Sequence, residues 1–390
     1  MLPLDGVRVV EFAHMVMGPS CGLVLADLGA EVIKVEPLAG DNTRRLEGAG
    51  IGFFPVFNRN KKSLAVDLQR AEGRELVLKL LGTADVLTEN FRPGALDKLG
   101  LGFDDMRNRN PRLVYCSLKG FLKGPYDHRP ALDEVTQMMG GLAYMTGLPD
   151  RPLRAGASVV DILGGTFAAV GILAALRERE VTGRGRHVTS GLFETTAYLV
   201  AQHMAQFELT GEAPPPMSVK RPAWGVYDIF DTAGGGRLFV GVVTDTQWEA
   251  FCRDFGLDEL KGDARLATNG QRVRARGWLI PRLGETFRRF SQAELVAKLE
   301  AIGLPFAPIN RPWDLLDDPH LCASGGLLAT RLGGQTLRVP ALPVALDGQR
   351  LPKRADPPAI GEHGRDLLAS LGCSPQEIAA LLEERVVAFP

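Results

Sequence analysis

From Ile162 to Leu176 the chain carries no charged residue, and Asp161 stands immediately before that run. A helix that is apolar on every side belongs in a protein interior, so this stretch obliges other elements to surround it. Asp161 is therefore expected near the buried start of a core helix. A lone charge in such a place is strongly unfavourable and needs either partners or a chemical use. On the residues alone two readings stay open: an N-cap accepting from the free N–H groups of the helix, or a group that does chemistry. The two are compatible. A carboxylate at a helix N-terminus is favoured in its ionised form, and the small residues Gly164, Gly165 and Thr166 leave a substrate room to approach.

Around this segment strand and helix alternate. Val7–Phe12 is a β-branched run, Gly18–Leu28 a helix ending at Gly29, and Glu31–Val35 the next strand, closed by Pro37. After a long loop, Leu38–Asn60, come a strand (Ser63–Asp67), a helix (Ala71–Leu81), a strand (Val86–Glu89), a short helix (Ala95–Leu99) and a strand (Leu113–Ser117). The alternation implies an α/β fold with a mostly parallel, doubly wound sheet, and such sheets bind ligands at the C-terminal ends of their strands. Loops as long as Leu38–Asn60 are usually functional or mobile. Ala131–Tyr144 reads as a second buried segment, His187–Ser190 as a strand and Leu192–Leu209 as one long helix.

The Pro-rich stretch Glu212–Pro222 reads as a linker. Beyond it, Trp224–Phe230 and Leu238–Val243 form an expected β-hairpin, with helices near Gln247–Phe255 and Ala293–Ala301. The expected organisation is thus residues 1–212 as the start of a large domain, 213–223 as linker, 224–312 as a small α+β domain, and 313–390 as a return segment completing the large one. Short strands around Thr336–Val339 and two helices, Gly361–Leu371 and Pro375–Glu384, belong to that return.

With 390 residues, 23% charged and a net charge of -1, the composition favours neither nucleic acid nor an anionic membrane as a partner. No run of 18 apolar residues is present and the N-terminus has no signal-like pattern, which leads to an expectation of a cytoplasmic protein. The five cysteines, Cys21, Cys116, Cys252, Cys322 and Cys373, are far apart and never form Cys-x-x-Cys, so they are expected to be reduced packing residues. Gly48–Gly52 is glycine-rich, but no strand precedes it and no helix pattern follows, which disfavours a dinucleotide loop. No P-loop, histidine pair with metal-ligand spacing or Gly-x-Ser-x-Gly elbow occurs. What is left is carboxylate chemistry in a cleft with basic loops.

Five motifs carry a resemblance: Leu25-Ala-Asp-Leu-Gly-Ala-Glu-Val-Ile-Lys-Val-Glu-Pro37, Gly40-Asp-Asn-Thr-Arg44, Asn58-Arg-Asn-Lys-Lys-Ser63, Ala84-Asp-Val-Leu-Thr-Glu-Asn-Phe-Arg-Pro-Gly94 and Thr182-Gly-Arg-Gly-Arg186. Together they resemble the family III CoA-transferases, which include formyl-CoA transferase and the carnitine CoA-transferase type, with the α-methylacyl-CoA racemases as close relatives. The similarity reaches Ile360–Arg365 and is weakest between Met217 and Leu304. It implies a Rossmann-like large domain, a small α+β domain and an interlaced homodimer. It also implies an aspartate nucleophile at the start of a helix, which matches Asp161 within Gly156-Ala-Ser-Val-Val-Asp161.

Residue by residue, the same resemblance implies that His14 lies close to the thioester and that Val16 and Met17 line the coenzyme A pocket. Asn90, Phe91 and Lys98 match contacts to the CoA nucleotide, and Arg44 with the Asn58–Lys62 loop are further candidates for binding it. Asp133 aligns with an acidic residue near the nucleophile. Because two neighbouring carboxylates raise one pKa, Asp133 is expected to keep a proton and donate it. The implied reaction moves coenzyme A from an acyl-CoA donor to a carboxylic acid acceptor, with the thioester as substrate and neither a permanent cofactor nor a metal. Ser117–Phe121 looks closer to formyl-CoA transferase and hints at a small, polar, dicarboxylic acceptor. The glycine-rich lid loop of that enzyme has only distant counterparts, Trp224–Tyr227 and Ala233–Gly236. An α-methylacyl-CoA racemase is the alternative enzyme; it is disfavoured by Leu132, which stands where the racemases carry a histidine base. A non-catalytic CoA-binding protein is the alternative of another class.

Overall fold

The computed structural model describes residues 1–219 and 222–390; Lys220 and Arg221, part of the expected linker, lie outside the described residues. Six strands, β1 (Arg8–Phe12), β2 (Glu31–Glu36), β3 (Lys61–Val66), β4 (Val86–Glu89), β5 (Val114–Lys119) and β6 (His187–Gly191), lie parallel in the order β3-β2-β1-β4-β5-β6. Val387–Ala388 adds an antiparallel edge beside β3. Residues along a strand alternate faces, and both faces are apolar here. Val9, Val32, Val86 and Val114 enter one core, while Val10, Ile33, Leu87 and Tyr115 enter the other. The mixed α/β class with a mostly parallel sheet is as expected. Chain direction across the sheet reverses between β1 and β4, which opens a crevice beyond their C-terminal ends. His14 follows β1 and Asn90 follows β4, so both stand at that crevice.

The helix containing Asp161 runs Val159–Thr182 and packs against helix α1 (Met17–Asp27). A Cβ on Gly165 would stand 2.5 Å from the Met17 carbonyl oxygen and 3.0 Å from the Cys21 nitrogen. Gly164 and Gly165 therefore make room for α1, not for substrate as the sequence suggested. Nor is the Asp161 helix buried all round. Val160, Ala168, Ile172 and Leu176 enter the core, but Ile162, Phe167 and Val170 are 39%, 37% and 57% exposed. Its length and apolarity would suit a membrane span, yet its buried side packs on the sheet of this domain.

Other expectations change in detail. The Leu38–Asn60 loop holds the turns Asn42–Arg45 and Gly48–Gly52 and a short helix, Phe53–Phe57, directly after the glycines. A cation at its end and the one that opens β3 face inward, not a ligand. Arg59 is buried against Asp27 at 2.6 Å, and Lys61 against Glu11 at 2.8 Å. Burial pulls the Lys61 ammonium down to about 8, although Glu11 favours its charged form. Ala131–Tyr144 becomes two short helices, Asp133–Met139 and Leu142–Thr146, which leave Leu132, Val135, Met138 and Tyr144 exposed. Leu192–Leu209 breaks at Val200 into Leu192–Leu199 and Ala201–Thr210. Cys21, Cys116 and Cys252 are buried, but Cys322 is exposed.

Met1–Ser218 together with Pro319–Pro390 forms one compact unit, and Val219–Asp318 forms another. In the second, Arg237–Val242 pairs antiparallel with both Val226–Asp231 and Phe306–Pro308. Helices Asp245–Asp254, Asn269–Phe287 and Gln292–Ile302 belong to the same unit, whose core includes Phe230, Trp248, Phe251, Leu283, Phe287 and Leu299. Three of these helices start with capping boxes, at Thr244, Thr268 and Ser291.

The closeness of the two large-unit helices makes a direct prediction. Gly165→Ala places a methyl group against backbone that cannot move without shifting α1, and overpacking of this kind costs about 1–3 kcal/mol. Urea unfolding should show a midpoint lowered accordingly, whereas Gly82→Ala, with open space around its Cβ position, should not.

Candidate active site

A cavity of about 270 Å³ lies at the crevice and is lined by His14, Val16, Met17, Asn90, Asp133, Arg154 and Asp161, with Phe53, Leu118, Leu132 and Leu192 among its apolar walls. Five of the sequence-derived candidates besides Asp161 thus meet in one place. They arrive from the ends of β1 and β4, the start of α1, and the starts of the Asp133 and Asp161 helices.

Asp161 does not cap its helix. Ser158 is the N-cap residue, so Asp161 is the third residue of the helix. The capping role falls to Asp133, whose Oδ2 accepts from the backbone N–H groups of Val160 at 3.0 Å and Asp161 at 3.2 Å. Asp133 Oδ1 accepts from Gln137 Nε2 at 2.6 Å and pairs with Arg154 Nη2 at 3.2 Å. Every oxygen of Asp133 is committed as an acceptor. Asp161 remains accessible from the cavity, yet burial of its carboxyl, then the charge of Asp133, push its pKa up to about 7, against the opposing pull of Arg154. Two sequence expectations are corrected here. The carboxyl driven towards its protonated form is Asp161, whereas both Asp133 oxygens are taken up as acceptors, and a helix N-terminus does not hold Asp161 ionised because Asp133 accepts from the Val160 and Asp161 N–H groups.

The turn after β1 is held from several sides. The Asn90 side chain accepts from His14 N at 3.0 Å and donates to His14 O at 2.8 Å. Met15 has φ +63°, a strained value for a side-chain-bearing residue. Its N–H donates to Thr43 Oγ1 at 2.9 Å, and Lys34 Nζ donates to Ala13 O. His14 is open at the cavity mouth, but the protein around its ring holds its pKa below the ordinary histidine value through burial. Val16 is the residue before α1 and Met17 its first residue, so both follow this fixed turn.

The remaining candidates lie elsewhere. Phe91 stacks loosely on His14, ring centroids 5.7 Å apart, and lines a second cavity of about 390 Å³ with Leu38, Leu68 and Leu99. Lys98 is exposed in the short turn Asp97–Leu99 beside it. Arg44 faces neither cavity's ligand space: it forks onto Glu36 at 2.7 and 2.8 Å, with its guanidinium 3.9 Å from the Phe54 ring centroid. Sequence reasoning passed over Arg154, Gln137 and Lys119. Gln137 had a signal, since it stands one helical turn after Asp133, the spacing that brings side chains together.

The family model described as CoA-transferase family III matches residues 4–364. The succinyl-CoA–D-citramalate CoA-transferase of Chloroflexus aurantiacus is 33% identical over 402 residues, covering 99% of this chain and 98% of that one. The succinate–glutarate CoA-transferase of Agrobacterium fabrum is 33% identical over 384 residues, covering 95% and 96%. Among solved structures, a CAIB/BAIF family protein from Brucella suis superposes with a TM-score of 0.84 at 35% identity, over 95% of this chain and 99% of that one.

The raised pKa of Asp161 has a consequence for stability. An acid with its folded pKa at about 7 and its unfolded pKa near the ordinary carboxyl value binds more protons when folded, so stability falls as pH rises between those two values. Asp161→Asn removes that titration. Thermal midpoints should show the variant gaining on the parent protein progressively from pH 4 to pH 7, with the gain constant above about pH 8.

Proposed function

The chain belongs to CoA-transferase family III, and on that premise we propose that it moves coenzyme A between carboxylic acids with Asp161 as the nucleophile. The observation that carries this reading is a carboxyl with a pKa of about 7, in a cavity, whose nearest helical N–H groups are all turned to another residue. Such a carboxylate is poorly solvated and more basic than usual, and near neutral pH a useful fraction of it is ionised.

In this mechanism the Asp161 carboxylate attacks the donor thioester carbonyl, and the C–S bond breaks to give a mixed anhydride and CoA thiolate. The thiolate attacks the aspartyl carbonyl, forming an aspartyl-CoA thioester and releasing the donor acid as its carboxylate. The acceptor carboxylate then displaces CoA thiolate to form a second anhydride, and the thiolate takes the acceptor acyl group, regenerating Asp161. No proton is transferred to or from carbon, in keeping with Leu132 at the cavity wall, a side chain that cannot serve as a base. Asp133 acts by fixing the helix start. His14, held towards its neutral form, can donate a hydrogen bond to the thioester oxygen. Water would hydrolyse both intermediates, and Met17, Leu118, Leu132 and Leu192 limit its access.

Val16 and Met17 line the pantetheine end of this path. The nucleotide of CoA is assigned to the second cavity, where Phe91 offers a ring and Lys98 a cation for phosphate, while Asn90 contributes through the turn it clamps. The exposed apolar residues Ile162, Phe167, Val170, Tyr198 and Phe207 support an interlaced homodimer as the working assembly. Its assigned setting is the cytoplasm, and its large domain is assigned to the Rossmann-like class.

Two experiments test the reading. Incubation with a donor thioester should leave CoA covalently attached to the peptide containing Asp161, detectable by mass spectrometry and released by hydroxylamine, and Asp161→Ala should abolish both attachment and turnover. An Asp161→Ala protein of normal activity overturns it. Separately, Lys98→Ala should raise the KM for the thioester several-fold and leave that for the free acid unchanged, since a distant nucleotide contact supplies binding common to ground and transition states.

A further inference from the structure

We propose that Arg154 makes this enzyme selective for dicarboxylic acids by holding the unreacted carboxylate of the substrate while the other end reacts at Asp161. The inference rests on the CoA-transfer reading and adds to it the class of acid.

The cavity wall contains three acidic side chains, Asp133, Glu134 and Asp161. A second carboxylate brought into that space with the substrate is repelled by each that is ionised, so it enters only if a cation meets it. Two permanent cations line the wall, Lys119 and Arg154. Lys119 is already occupied, by Glu89 at 2.7 Å and by the Phe91 carbonyl at 2.8 Å. His14 is no substitute, because burial holds it towards neutrality.

Arg154 is differently placed. Its Nη2 makes a contact of 3.2 Å with Asp133 and its Nε donates to Ala155 O at 3.1 Å, while among the described residues its Nη1 has no acceptor. Its side chain is 35% exposed, so part of the guanidinium is open. The backbone that carries it is also fixed: Ala155 N donates to Gln137 Oε1 at 2.8 Å, and the same Gln137 donates to Asp133. Arg154 and Asp161 thus sit on one short, tethered segment, with a planar donor fork at one end and the nucleophile at the other. Both line the cavity of about 270 Å³, a volume that suits a short acid chain. A monocarboxylate of equal length leaves the fork unused.

The test compares succinate with butyrate, four-carbon acids that differ in the second carboxylate, using one acyl-CoA donor throughout. In a double-displacement reaction the kcat/KM for the acceptor reports only the half-reaction in which it takes part, so donor effects drop out. The parent protein should prefer succinate. Arg154→Gln should lower the succinate-to-butyrate ratio of kcat/KM by about tenfold or more, the scale of one lost charge-assisted contact, and Arg154→Lys should restore part of it. Equal losses with both acids would mean that Arg154 merely braces Asp133, and a parent enzyme indifferent to the second carboxylate would overturn the proposal outright. CoA attachment to Asp161 in the parent protein is read in the same samples. Attachment without dicarboxylate preference defeats the Arg154 inference alone, and absence of attachment defeats the Asp161 mechanism.

Discussion

Everything at the active site depends on two helices crossing at backbone distance. Helix α1 and the Asp161 helix meet where Gly164 and Gly165 present no side chain, so that Met17, the first residue of one, comes up against the first turns of the other. The two are separated by well over a hundred residues of sequence. Their contact turns the end of β1, a position that any sheet of this order would leave open, into part of a cavity that Asp161 also lines. The glycines are thus structural in the strict sense, and their influence on chemistry is indirect.

The second determinant is a division of labour between two carboxyls. Asp133 collects two backbone N–H groups, an amide and a guanidinium. Asp161 gets none of these donors, is buried, and feels the negative charge of Asp133. A helix start would ordinarily make an acid weaker as a base; interposing Asp133 inverts that effect. The fold therefore tunes the proposed nucleophile by what it withholds.

How much of this was legible in the sequence varies with the physics involved. The parallel sheet could be read because short β-branched stretches, such as Val9–Val10 and Val32–Ile33, recur between helical patterns. Asp161 stood out as one charge before an apolar run. The helix Asn269–Phe287 was missed although Thr268 and Gln271 spell a capping box, because Pro281 inside it reads as a breaker. The burial of Arg59 and Lys61 was not readable either, since their acidic partners Asp27 and Glu11 lie far away in sequence and only the fold pairs them. Nor was the raised pKa of Asp161: proximity of two acids announces that one pKa rises, but it is the burial of the Asp161 carboxyl, which only the fold creates, that makes it this one. The exposed flank of the Asp161 helix escaped for a similar reason, as an exposed apolar face looks the same in sequence as one packed in the core.

The Asn90 clamp on His14 has a meaning beyond its two hydrogen bonds. It joins the loop after β4 to the loop after β1, and with Thr43 and Lys34 it makes a single rigid piece of segments that would otherwise move independently. Flexible walls must be ordered whenever a substrate arrives, and the lost entropy is subtracted from affinity each time. Here that ordering happens once, during folding. Met15 keeps its unfavourable backbone angle for the lifetime of the molecule, and each incoming thioester meets a surface already in shape.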